Sequence, residues 1–146
     1  MKVSKDIPLA EITLRKYEKP YEMPRRDLIR KICLSTGLLQ PGDSRDVIVD
    51  IFQVLMDNDK EMSCEEVRQE VILLRTEAKL PQLGIAASNV RRQIRRLRSM
   101  HFVEKINNRY RINENEDISI LFTERIEKFY LPTIIARVKD YLKELN

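Results

Sequence analysis

A chain of 146 residues, 42% hydrophobic and 34% charged, holds enough apolar material for one compact core under a charged surface, which excludes disorder throughout. With three glycines in all, a fold built on many tight β-turns is excluded too, and no apolar run approaches the roughly 20 residues of a membrane span. The net charge of +4 is modest, but segment 88–111 sets Arg91, Arg92, Arg95, Arg96, Arg98, Lys105, Arg109 and Arg111 against a single acid, Glu104, so the positive excess is concentrated there.

Residues 1–24 contain Pro8, Pro20 and Pro24 among mixed charges and read as an extended arm, with no apolar stretch of the signal-peptide kind. A helix is predicted from about Arg25 to Thr36, with Leu28, Ile29, Ile32 and Cys33 on one face and Gly37 closing it. The turn LLQPGDS (38–44) places Asp43 or Ser44 as the cap of a second helix, over about 45–57. Apolar residues at 47, 48, 51, 52, 54 and 55 cover most of that helix, as burial on all sides requires. Ser63 and Glu66 stand at capping-box spacing and open a third helix, over about 63–79, which Pro81 and Gly84 in the loop 80–86 stop.

A fourth helix starts at Ala87-Ser88-Asn89 and runs to Ser99, with Val90, Ile94 and Leu97 on its inner stripe. After Met100 the period changes to alternation, over about 102–106 and 109–112. Asn107-Asn108 join these two runs, and asparagine tolerates the positive φ that a two-residue hairpin turn demands. Residues 117–145 return to helical spacing, from Ile118, Leu121 and Phe122 through Phe129 and Tyr130 to Tyr141 and Leu145; Pro132 is expected to kink this helix or to begin another. The expected architecture is mainly α with a small β-hairpin. An N-terminal arm and helix (1–43) pack on a core (44–113), followed by C-terminal helices (114–146).

On a helical wheel Ser88, Arg92, Arg95 and Ser99 point away from Val90, with Arg96 beside them and Arg91 and Arg98 on the flank. Solvated helix faces normally mix signs at i,i+4, whereas the pairs 91/95, 92/96 and 95/98 are like-charged and repel. Folding gains nothing from that arrangement, so it points to a polyanion partner. No P-loop, G-x-G-x-x-G, H-E-x-x-H or G-x-S-x-G pattern occurs, and no enzymatic chemistry is visible. Cys33 and Cys64 are too far apart for a ligand pair, and His101 is the only histidine. The expectation is therefore a reduced, cytoplasmic protein without metal or cofactor, in which His101 caps or packs.

The succession over 44–112, and SNVRRQIRRLRSMHFVEKINNRYRI (88–112) above all, resembles the winged helix-turn-helix family of DNA-binding proteins. With LRKYEKP (14–20) and GLLQPGDSRDVI (37–48), the chain also looks like small archaeal members of that class. The resemblance implies a three-helix core, a β-hairpin wing and docking of helix 87–99 in the major groove of double-stranded DNA, as in a transcriptional regulator. The second helix of the motif (about 63–79) and its loop are longer than a minimal helix-turn-helix. On this reading Ser88, Asn89, Arg92 and Arg95 face base edges, unless Ser88 and Asn89 simply cap the helix. Arg96, Arg98, Arg109 and Arg111 contact phosphate, and Arg91 and Lys105 complete the basic surface. The apolar stripe of the C-terminal helices either folds back on its own domain or pairs two copies into a homodimer. RNA binding, or a protein-interaction scaffold on the same fold, remains open from the sequence.

Overall fold

The structure is a computed structural model that describes residues 3–146; the first two residues of the predicted arm lie outside the described residues. After a 3-10 turn, Val3–Asp6, the arm runs without regular structure to Pro24. It is held by Arg15, whose guanidinium donates to the carbonyls of Leu34 (2.8 Å) and Leu39 (3.2 Å) and to Gln40 Oε1 (2.6 Å). These carbonyls lie at the C-terminal end of α1 (Arg25–Ser35) and just beyond, where helix carbonyls lack intrahelical partners, so an arm arginine acts as a cap in trans. Gly37, at φ +76°, turns the chain out of α1, and a Cβ there would lie 2.8 Å from Thr13 Cβ. Glycine is therefore what lets the arm cross so closely.

The core is organised around α2 (Val47–Asp57), which buries Val47, Ile48, Val49, Ile51, Phe52, Val54 and Leu55. Its all-round apolar pattern is answered by α1 on one side, α3 (Cys64–Glu77) and α4 (Ala87–Ser99) on others, and Phe102, whose ring stacks on Phe52 at 5.4 Å. The cap of α2 differs from the one expected. Asp46 is the residue that precedes the helix and makes no side-chain cap bond, while Asp43 accepts from the Arg45 N–H instead. Asp46 is diverted to arginines: it pairs with Arg26, Arg30 and Arg75.

Asp50 is the one charged residue buried on α2, at 2% exposure, and it meets Arg75 of α3, also 2% exposed, at 2.5 Å. Arg26 of α1 closes on the other carboxylate oxygen at 3.1 Å, and Arg75 Nε donates to the carbonyl of Pro81 at 2.8 Å. This buried network ties α1, α2 and α3 to the loop that delivers α4.

The capping box forms as predicted: Ser63 Oγ accepts from Glu66 N (3.1 Å) and Glu66 Oε1 from Ser63 N (2.8 Å). The sheet has one strand more than expected. β1 (Met62–Ser63) pairs antiparallel with β3 (Arg109–Ile112), which in turn pairs with β2 (Val103–Ile106), giving the order β1-β3-β2. The β2–β3 hairpin turns at Asn107 (φ 50°) and Asn108 (φ 64°), as the sequence suggested.

Of the two expectations for Pro132, the second holds: a new α-helical element begins at Leu131 and carries Pro132 in its first turn. α5 (Ile118–Leu121) passes with helical dihedrals into a π-type stretch, Phe122–Tyr130, and on into α6 (Leu131–Lys143). The widened turns lie directly ahead of Pro132, whose ring would crowd the carbonyl four residues earlier in a regular α-helix. Leu121 and Ile126 anchor this run in the core. The architecture is thus mainly α with a small three-stranded antiparallel sheet.

Candidate nucleic-acid interface

Helix α4 forms its own site by dividing its faces. Val90, Ile94 and Leu97 are fully buried, and this fixes the rotation of the helix on the core. Ser88, Arg91, Arg92, Arg95, Arg98 and Ser99 are all exposed. At about 100° per residue these six span roughly a third of the circumference, a single face opposite the buried stripe. Among the described residues, no carboxylate pairs with Arg91, Arg92, Arg95 or Arg98, although thirteen ion pairs form elsewhere in the chain.

Two of the predicted contact residues are placed differently. Asn89 is half-buried on the flank of α4; its Nδ2 donates to the Gly84 carbonyl at 2.7 Å and its Oδ1 accepts from Gln93 Nε2 at 3.1 Å. Arg96 continues the ladder, donating to Gln93 Oε1 (2.8 Å) and to the Gly37 carbonyl (3.2 Å). Burial, and then the charge of Arg92, push the Arg96 guanidinium below its ordinary pKa. Both side chains brace α4 against the loops at 37 and 84, so Asn89 and Arg96, expected at bases and phosphate, lie on the flank of α4 rather than on its exposed face. Neither Ser88 nor Asn89 caps the helix; Ala86 holds that position without a side-chain bond.

The hairpin contributes less free charge than its composition suggested. Arg109 pairs with Glu66 (2.5 Å) and donates to the Glu61 carbonyl, while Arg111 Nε lies 2.7 Å from Glu104. Burial would raise the Glu104 carboxyl, but the Glu114 N–H and Arg111 outweigh it and hold the group below its ordinary value. Exposed pairs such as Arg109–Glu66 are screened by solvent and add little to stability, so an arriving anion can displace the partner. Lys105 is exposed and, among the described residues, unpaired. It borders an open crevice of about 540 Å³ between α4 and β2, with Arg95, Arg98 and His101 on the opposite wall.

His101 has φ 65° and ends α4, its N–H donating to the Arg98 carbonyl at 2.9 Å, and its ring packs on Tyr130 at 5.5 Å. Burial, followed by the Arg125 charge, lowers its pKa. Burial pushes the Cys33 thiol up to about 12, and it raises Cys64 as well, so neither is a thiolate at neutral pH. Among the described residues no group of three or more His, Cys, Asp or Glu side chains comes together to hold a metal ion, and no helix is long and apolar enough to cross a membrane.

Fold and site together define a small, mostly helical domain with a three-stranded antiparallel sheet and one cationic helix face. No family model, curated protein or solved structure matches the chain.

Proposed function

We propose that this chain is a double-stranded DNA-binding protein of the winged helix-turn-helix type, acting in the cytoplasm as a transcriptional regulator without enzymatic activity. Helix α4 enters the major groove and the β2–β3 hairpin lies along the backbone. The observation that carries this reading is the outward face of α4, where four arginines stand exposed without a carboxylate partner among the described residues. The 13-residue helix is about 20 Å long, and a major groove about 12 Å wide admits one α-helix.

Arg92 and Arg95, near the middle of the face, reach base edges, where guanidinium groups bind guanine O6 and N7 in bidentate fashion. Ser88 and Ser99 are small enough to let the backbone approach. Arg91, Arg98 and Lys105 take phosphates on either side, and Arg109 and Arg111 join by exchanging their carboxylates for phosphate. The α4 face carries no aromatic side chain on which unpaired bases could stack, which favours duplex over single strand.

Fluorescence anisotropy with a labelled 24-base-pair duplex DNA, the same single strand and the matching duplex RNA tests the choice. Duplex DNA is expected to bind at least tenfold more tightly than either of the others. Equal or tighter binding of RNA would remove the DNA assignment.

A further inference from the structure

Helix α6 carries chemistry that the nucleic-acid reading does not use. None of its residues is buried, yet Ile134, Ile135, Val138, Tyr141, Leu142 and Leu145 recur at three- and four-residue spacing along it and just past its end. At about 100° per residue they fill one stripe, roughly a third of the circumference. Val138 is 52%, Tyr141 73% and Leu145 81% exposed. Beside the stripe the arm brings residues 5–10 alongside 133–141, leaving an open groove of about 620 Å³ with Leu9 standing 96% exposed at its edge. Together these residues leave a contiguous, mostly apolar face uncovered among the described residues, the kind of surface that marks an interaction site.

We propose that a second copy of this chain covers this face, the two α6 helices packing antiparallel about a two-fold axis. The pattern follows a heptad in which Ile134 and Tyr141 occupy one core position and Val138 and Leu145 the other. In the antiparallel register Ile134 meets Leu145 of the partner subunit, and Val138 meets Tyr141 of the partner subunit. Arg137 then stands opposite Glu144 of the partner subunit, twice by symmetry, while Ile135 faces Leu142 of the partner subunit on the other flank. A parallel pair would set Arg137 against a leucine and leave Glu144 without an opposite charge, so charge complementarity selects both the occupant and its direction. Leu145 of the partner subunit comes to rest beside Ile134, next to the groove where Leu9 is exposed. The bond Arg137 makes within its own helix, 3.4 Å to Asp140, is solvent-exposed and readily exchanged. This inference stands independently of any nucleic-acid partner.

Sedimentation of the full chain between 1 and 100 μM tests it. The native protein is expected to sediment as a dimer in that range, and Arg137→Glu or Glu144→Arg alone weakens association at least tenfold because like charges then face each other. Combining the two reversals restores association to within threefold of native, a rescue that simple loss of packing would not give. Circular dichroism confirms that each variant is folded, as expected for substitutions on an exposed face. A native chain that stays monomeric at 100 μM, or a dimer indifferent to the single reversals, overturns the proposal.

Discussion

Replacing Arg92 and Arg95 together by glutamate is expected to lower affinity for duplex DNA by about 10²–10⁴-fold, since each good base or phosphate contact contributes roughly 1–3 kcal/mol. Stability should move the other way, or not at all. Both side chains are exposed and, among the described residues, meet no carboxylate. The substitutions turn the repulsive pairs 91/95 and 92/96 into attractive ones, adding up to about 0.2–0.5 kcal/mol each. Anisotropy titrations and urea unfolding on the same preparations read the two quantities. A variant that binds within threefold of native contradicts the assignment of this face, and one that unfolds easily contradicts its description as exposed. The opposed signs are informative: residues kept for folding lose stability when reversed, whereas arginines kept for a partner are expected to lose affinity alone.

The second large effect is on stability. Arg75→Met is expected to destabilise the fold by about 3–5 kcal/mol, because it strands the Asp50 carboxylate at 2% exposure with only Arg26 left to answer it. The same substitution removes the bond from Arg75 Nε to the Pro81 carbonyl, so the loop ahead of α4 loses its tether. Adding Asp50→Leu removes the stranded charge and should recover a substantial part of the loss, since a buried pair replaced by well-packed apolar groups is often close to neutral. Urea unfolding of both single variants and the double variant forms a double-mutant cycle whose coupling energy is expected to be large. A loss below about 1 kcal/mol for Arg75→Met would show that water reaches Asp50 and that the network is not the buried tie described above.

Legibility in the sequence followed the range of the forces involved. The all-round apolar character of α2, the Ser63–Glu66 capping box and the Asn107-Asn108 turn are local features, and each appears where local chemistry placed it. β1 is two residues long, too short to show alternation, and exists because β3 offers a free edge to Met62 and Ser63. The π-type turns before Pro132 accommodate a proline that the sequence could only mark as a break. In the candidate site the exposed arc was readable because three buried residues fix the rotation of α4. The bracing ladder was missed because its far ends, Gly37 and Gly84, come from other parts of the chain. A signal was present all the same: Asn89, Gln93 and Arg96 share one flank at i, i+4 and i+7, between the core stripe and the outer face. The pairing of Arg109 with Glu66, 43 residues away, had no local signal at all.

The unneutralised cationic ridge on α4, with Lys105 beside it, is proposed to meet phosphate. The most direct measurement is the dissociation constant for a duplex DNA across salt concentrations from 50 to 400 mM. Affinity is expected to fall steeply, with a log–log slope of roughly −4 to −6 per subunit as about five phosphates release their counterions. A flat dependence would contradict the claim that this ridge binds nucleic acid.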